Sequence, residues 1–88
     1  MELLKYKEKF KEYTYYMKDG EKVLHGLYRE RYPNGQLEFE YSYKENKGHG
    51  RYRHWDKNGL LDSEYYFVEG IKYDKDEYEE SVIMNRSW

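Results

Sequence analysis

One stretch of this chain is written twice, 24 positions apart. HGLYRERYPNGQL begins at His25, and HGRYRHWDKNGLL begins at His49. Repeats with periods of 20 to 50 residues are typical of architectures in which one supersecondary unit cannot bury its apolar face alone. The sequence therefore predicts similar units that stack side by side.

Each copy contains an Asn-Gly pair, the strongest turn signal in the chain, at Asn34-Gly35 and Asn58-Gly59. Asn and Gly both tolerate positive φ, which a two-residue type I′ hairpin turn requires. Taking these pairs as the loops fixes the register of two hairpins. The predicted partners are Tyr28–Tyr41, Arg29–Glu40, Glu30–Phe39, Arg31–Glu38, Tyr32–Leu37 and Gly26–Tyr43 in the first, and Tyr52–Tyr65, Arg53–Glu64, Trp55–Asp62 and Gly50–Phe67 in the second.

Strict alternation of side chains supports this register. In QLEFEYSY, apolar or aromatic residues at 37, 39, 41 and 43 alternate with polar ones. Such alternation indicates a half-buried strand. The register places tyrosines on one face and arginines opposite glutamates on the other. An aromatic ring is predicted opposite each of Gly26 and Gly50, and we expect it to leave no room for a side chain at the glycine.

The two ends of the chain are expected to differ from the repeats. FKEYTYYMKDG reads as half a further copy that ends at the Asp19-Gly20 turn, and the Lys-rich residues before Phe10 are expected to be frayed or helical. A helical alternative rests on apolar residues spaced by three and four from Leu3 to Met17. At the other end, Asp74 and Glu77 form a capping pair for a helix with a stripe at Tyr78, Val82 and Ile83.

These patterns predict one domain, 1–88, of mainly β class. It is an antiparallel meander of about five to six strands with a short C-terminal α-helix. The segments are a partial repeat at 10–24, repeats at 25–48 and 49–73, and the helix at 74–86.

Composition narrows the class of protein. Charged residues make up 39% and aromatic residues 20%, with 13 tyrosines, which bury a large ring while keeping a polar hydroxyl. The absence of cysteine excludes disulfides and thiolate metal sites. The net charge of −2 does not fit a typical nucleic-acid binder. No apolar run is long enough to cross a bilayer, and the N-terminus does not resemble a signal peptide, so a cytoplasmic protein without membrane contact is expected.

The pattern H-G-x-Y-R, then N-G-x-L, then a glycine-containing turn, resembles the bacterial and phage variant of MORN repeats. The resemblance covers roughly residues 16–70. It implies β-hairpin repeats; other MORN proteins are interaction scaffolds, and some members of this variant are labelled antitoxins. In such repeats an aromatic residue often lies three positions before the Asn-Gly turn. Trp55 is that residue in the second copy, whereas the first copy has Arg31 there. The matching residues are Tyr32, Asn34, Gly35, Leu37, Gly48, His49, Gly50, Asn58, Gly59 and Leu61.

No motif points to catalysis. His25 and His49 are the ligand candidates, but no carboxylate–histidine cluster or His-Glu-x-x-His accompanies them, so we expect local hydrogen bonds and no metal or other cofactor. KGHG lacks the Lys-Ser/Thr pair of a phosphate loop, and no serine lies in a nucleophile elbow. The chain is not expected to be an enzyme.

The sequence favours a non-catalytic protein-binding module, possible identities being a phage or bacterial inhibitor or an antitoxin-like neutraliser. By the predicted register Trp55, Tyr66 and Leu60 lie on the otherwise polar face, and tyrosine and tryptophan are enriched in interface hot spots. Arg51 and Arg53 beside Trp55 give the alternative, a nucleic-acid-binding accessory protein, which the neighbouring carboxylates disfavour. Self-association as a homo-oligomeric structural piece is a further alternative.

Overall fold

The computed structural model describes residues 2–77, and these form one antiparallel β-sheet. Spatial order follows chain order from β1 to β8, except that the two-residue β5 pairs only with β4. The predicted mainly β meander is confirmed, with more strands than the five to six expected. The strands are β1 (Leu4–Glu8), β2 (Lys11–Lys18), β3 (Glu21–Arg31), β4 (Leu37–Lys44), β5 (Lys47–Gly48), β6 (Gly50–Trp55), β7 (Leu61–Val68) and β8 (Ile71–Tyr73).

The sheet is a single layer. Its Cα atoms extend 43 × 40 × 15 Å, and the radius of gyration is 14.9 Å, compared with about 12 Å for a compact domain of this length. Within residues 2–77 no hydrophobic side chain is fully buried. Because no second layer of the described residues packs on either face, cross-strand side-chain pairs supply the cohesion that a core supplies elsewhere.

The central register is the predicted one. Tyr28 lies opposite Tyr41 and Arg29 opposite Glu40. The second hairpin repeats this arrangement with Tyr52–Tyr65 and Arg53–Glu64, and Gly26 and Gly50 face Tyr43 and Phe67. Side-chain alternation and hairpin geometry agree over these residues, which is why sequence arithmetic placed them correctly.

The predicted two-residue type I′ turns at the Asn-Gly pairs are wrong. The first loop has three residues, 33–35: the Tyr32 amide donates to Gln36 O at 2.9 Å, and the Gly35 amide donates to Tyr32 O at 2.9 Å. Only Gly35, with φ 89°, is left-handed. This is a type I turn closed by a glycine bulge, and residues 57–59 repeat it with Gly59 at φ 87°.

A second irregularity in each hairpin compensates for the longer loop. Arg31 lies opposite Leu37, not Glu38, and Trp55 lies opposite Leu61, not Asp62. Likewise, the Tyr32 amide bonds to Gln36, not to the predicted partner Leu37. The extra residue in each returning strand restores the register, because an uncorrected slip of one residue would turn every ring to the polar face.

At the other ends of the strands, away from the Asn-Gly loops, the connections are true two-residue turns. Asp19-Gly20, Glu45-Asn46 and Glu69-Gly70 have positive φ at both positions, between 50° and 83°. Their flanking residues pair directly, as in Lys18–Glu21 and Val68–Ile71. The turn signal expected at Asp19-Gly20 is therefore confirmed.

Residues 4–8 are neither frayed nor helical, which corrects the sequence-based expectation for the segment before Phe10. They form β1, which pairs with β2 over five consecutive residues. The Tyr6 and Tyr13 rings stack at 4.9 Å across this pair. The spacing that suggested a helix arises because β1 and β2 place rings on one face on either side of a short turn.

The helix cap at the other end is confirmed. The Glu77 amide donates to Asp74 Oδ1 at 2.8 Å, and residues 75–77 are helical. The rest of the predicted helix, 78–86 with its stripe at Tyr78, Val82 and Ile83, lies outside the described residues.

The three repeat glycines have different roles. Gly26 and Gly50 adopt φ of 111° and 102°, which L side chains rarely take, next to bulges at the histidines. A Cβ on either would meet Thr14 or Ser42 rather than the facing ring, so the expected ring crowding is wrong at these positions. The ring contact occurs instead at the buried Gly48, whose missing Cβ leaves room for the Tyr41 hydroxyl.

Candidate interaction surfaces

A tyrosine row crosses six strands on one face of the sheet. Tyr6 pairs with Tyr13, Tyr13 with Tyr28, and Tyr28 with Tyr41. The Tyr41 ring then contacts Tyr52 at 5.3 Å, and Tyr52 pairs with Tyr65. Phe39, Tyr43 and Phe67 flank this tyrosine row and complete an aromatic face.

Some rings of this face stack on one another, and the others meet tilted or edge to face. Tyr13 and Tyr28 lie 5.7 Å apart with planes 8° from parallel, and Tyr28 and Phe39 lie 5.9 Å apart at 7°. At the far end the Lys72 ammonium lies 4.1 Å from the centre of the Tyr65 ring. Where rings stack, a neighbour occupies the π face that a base would need, which makes that part of the surface a poor platform for stacking bases.

Partial burial changes the titration of these phenols. Burial, together with a 2.6 Å hydrogen bond to Glu30, raises the pKa of Tyr28 well above its ordinary value. Burial also raises the pKa values of Tyr41, Tyr43 and Tyr52. These four hydroxyl groups therefore stay protonated throughout the physiological range.

On the opposite face a charge row runs beside the tyrosine row. Its members alternate in sign and lie directly opposite one another across six strands: Lys7, Glu12, Arg29, Glu40, Arg53 and Glu64. Arg29 Nε donates to Glu40 at 2.7 Å, and Arg53 Nε donates to Glu64 at 2.8 Å. Glu12 accepts longer contacts from Lys5 at 3.8 Å and Arg29 at 3.7 Å. This surface is electrically balanced along most of its length.

The five residues expected to bind a partner lie on the β6–β7 hairpin. Arg51 is exposed and lies opposite Tyr66, which in turn pairs with Tyr73. Arg53 forms an ion pair with Glu64, as the predicted register requires, and is therefore less available to bind a phosphate. Tyr66 and Trp55 are half-buried.

Leu60 is the most exposed large apolar side chain of the described residues, at 67%. Its neighbour Leu61 is 54% exposed and lies opposite Trp55. Sequence analysis missed Leu61, because the assumed two-residue loop placed Asp62 in that position. The expected position of Leu60 on the polar face is wrong. Its carbonyl accepts from the Asp56 amide, one position beyond the Trp55–Leu61 pair, so Leu61 shares a face with Trp55 and Leu60 lies on the other face. The apolar end of the hairpin therefore has Trp55 and Leu61 on one face and Leu60 on the other.

Contacts between the repeats hold this hairpin in place. The Tyr32 hydroxyl donates to the Trp55 carbonyl at 2.8 Å, and Asn34 Nδ2 donates to the Lys57 carbonyl at 3.2 Å. At the opposite ends of the strands the Gly70 amide donates to Gly48 O, and in the same way the Asn46 amide donates to Leu24 O. Each unit is thus fixed to the next at both ends of its strands.

The histidines do not assemble a metal site. No group of three or more His, Asp or Glu residues within 2–77 is arranged to hold a metal ion. His25 Nδ1 accepts the Glu45 amide at 3.4 Å, which is the local contact expected of a repeat histidine. His49 Nδ1 is buried and has no hydrogen-bond partner. His54 instead lies between two carboxylates, 3.2 Å from Asp62 and 3.9 Å from Glu38.

Comparison with protein-family models, with curated protein sequences and with solved structures found no match for this chain. Among residues 2–77 no helix has the length and apolar character needed to cross a membrane.

Proposed function

We propose that this chain is a non-catalytic protein-binding module whose partner surface is the apolar end of the β6–β7 hairpin together with the polar face beside it. The observation that carries the proposal is the exposed apolar pair at that end, where Leu61 lies opposite Trp55 and Leu60 precedes it in the chain. An exposed apolar patch rimmed by polar residues is typical of interaction sites. Arg51 and Arg53 supply such a rim beside Tyr66.

The resemblance to MORN repeats supports the same function, because repeat sheets of this kind offer a rigid surface. The specific identity that we propose is a cytoplasmic phage or bacterial inhibitor or an antitoxin-like neutraliser. The nucleic-acid alternative is weaker, since Glu64 engages Arg53 and stacked neighbours cover the π faces between Tyr13, Tyr28 and Phe39.

The experiment is affinity capture from nuclease-treated lysate of the native host, with quantitative mass spectrometry. The wild-type chain is compared with Leu60→Ser and with Trp55→Ala. The control is Met17→Ser, which alters a 49% exposed apolar residue on β2. We expect one dominant partner that both hairpin variants lose by about tenfold or more and that the control retains.

Three results would overturn the proposal. Equal retention by all variants would place the partner elsewhere on the sheet. Recovery of the bait alone would favour self-association. A partner that is lost only after nuclease treatment, with affinity falling steeply as salt rises, would favour nucleic acid. Circular dichroism of each variant checks that the sheet is intact, and Leu60→Ser is the variant least able to disturb it.

A further inference from the structure

The strand β1 is one of the two edge strands of the described sheet, the other being the three-residue β8. Strand β1 pairs regularly with β2 on one side, and among residues 2–77 no strand pairs with its other side. Its outer N–H and C=O groups can therefore accept an added strand. No bulge or proline interrupts its five residues, LKYKE.

The charge row and the tyrosine row both end on β1, and the last residue of each has no partner strand in the described sheet on its outer side. The charge row ends in Lys7, which has no carboxylate within ion-pair distance among the described residues, although each interior member faces an opposite charge on both sides. The tyrosine row ends in Tyr6, whose ring stacks only on Tyr13. A further strand that continued both rows would place a carboxylate opposite Lys7 and an aromatic ring opposite Tyr6.

The corner beside this edge is strongly cationic. A shallow cavity of about 80 Å³ is lined by residues 7–12 together with Arg29 and Arg31. Its five cations and two carboxylates leave a net charge of +3 in a chain whose total is −2. Of the five cations, only Arg29 has a carboxylate partner among the described residues. A concentration of unpaired cations favours an anionic partner.

We propose that the β1 edge binds an extended acidic segment of a protein partner, in which carboxylates alternate with an aromatic residue. Antiparallel addition would place the carboxylates opposite Lys5 and Lys7 and the ring opposite Tyr6. Lysines on an edge strand also protect a sheet against aggregation, because they disfavour pairing with neutral or cationic strands. An acidic strand would not be disfavoured in this way, since its carboxylates would pair with the lysines. The inference goes beyond the proposed function, because it adds a second binding site several strands away from the β6–β7 hairpin.

The test uses the capped peptide Lys-Glu-Phe-Glu-Val, whose residues would face Glu8 to Leu4 in order. It is titrated into the full ¹⁵N-labelled chain. We expect amide shifts concentrated in Leu4–Glu8, slower hydrogen exchange there, and weaker binding at high salt. The matched peptide Lys-Gln-Phe-Gln-Val keeps the strand propensity without the charge, and its Kd should be about tenfold higher.

The double variant Lys5→Gln/Lys7→Gln should lose the same factor in affinity. The control Lys18→Gln/Lys44→Gln removes two exposed lysines near the other turns and should bind normally. Absence of β1 shifts up to about 5 mM peptide, where a complex with a Kd near 1 mM would be largely formed, overturns the proposal. Equal binding of both peptides, or shifts that depend on protein concentration without peptide, also overturn it, the latter in favour of a second copy.

Failure of this inference is distinguishable from failure of the proposed function. A host partner lost in the Leu60→Ser variant, with no peptide binding at β1, leaves the module and removes only the acidic-strand site. Peptide binding at β1 without any captured partner leaves the acidic-strand site and removes the proposed partner surface on the β6–β7 hairpin.

Discussion

Gly48 lies directly beneath the hydroxyl of Tyr41, which leaves less room for a Cβ here than at any other glycine of the chain. A Cβ at this position would also meet the Tyr41 ring and, at 3.2 Å, the Phe67 ring. The glycine therefore allows two rings from different strands to close over the short β5. At this position ring packing, not backbone conformation, requires glycine.

Gly48→Ala should destabilise the sheet by about 1–3 kcal/mol, as overpacking does elsewhere. Because the rings can move toward solvent in a one-layer sheet, the lower half of that range is expected. Urea denaturation followed by circular dichroism measures the change, and Lys47→Ala at the exposed neighbour is the control. An unchanged midpoint for Gly48→Ala would mean that the two rings do not close over this backbone.

The loop glycines should respond differently from Gly48. Gly35 has φ 89° and open space around the missing Cβ, so only backbone strain opposes a side chain. Gly35→Ala should cost about 1–2 kcal/mol, and Gly35→Asn clearly less, because asparagine tolerates the left-handed region. The free energy of unfolding of the two variants decides this. Equal costs would argue against the glycine bulge.

The ion pairs of the charge row should give small, salt-dependent energies. Arg29 and Glu40 are 36% and 25% exposed, so solvent screens their attraction. A double-mutant cycle with Arg29→Gln and Glu40→Gln should give a coupling of about 0.2–1 kcal/mol that shrinks as salt is added. A coupling that does not change with salt would indicate a packing contribution of the arginine stem instead.

Alkaline solution should destabilise the sheet. A raised pKa in the folded state means that the native chain holds the phenolic protons of Tyr28, Tyr41, Tyr43 and Tyr52 more tightly than the unfolded chain does. The resulting stability is complete below about pH 10, the unfolded value, and is lost as pH rises through the folded values. Urea midpoints should therefore be level from about pH 8 to 9.5 and fall above it.

Tyr28→Phe tests the origin of that fall. The variant removes the hydroxyl that donates to Glu30 and should lessen the decline of the midpoint above about pH 10. Ultraviolet absorbance of ionised tyrosine gives an independent measurement on the native chain. A decline of the same steepness in the variant would assign the alkaline sensitivity to other groups.

Sequence alone predicted the central pairs because two independent signals converged there. Alternation fixed the faces of β4, and the Asn-Gly turn fixed the register to within one residue, so Arg29–Glu40 and Arg53–Glu64 were placed correctly. The loop itself was wrong because Asn-Gly suits both a two-residue turn and a type I turn with a glycine bulge. The compensating bulges at Glu38 and Asp62 leave no mark in the residue pattern.

The tyrosine row was missed although its signal was present. Extending the same arithmetic across the Lys9-Phe10 turn pairs Tyr6 with Tyr13. The competing three-and-four spacing hid this, since β1 is short and its lysines lower its strand propensity. The exposed leucine beside Trp55 was hidden for a different reason, since its position depends on the three-residue loop.

The single-layer sheet has a thermodynamic consequence. The heat capacity change of unfolding follows the apolar surface that unfolding exposes, and here the native rings already contact water in part. This increment should fall below the value of about 1.1 kcal/mol/K usual for 88 residues. A small increment flattens the curvature of stability against temperature, so the sheet should lose little stability on cooling.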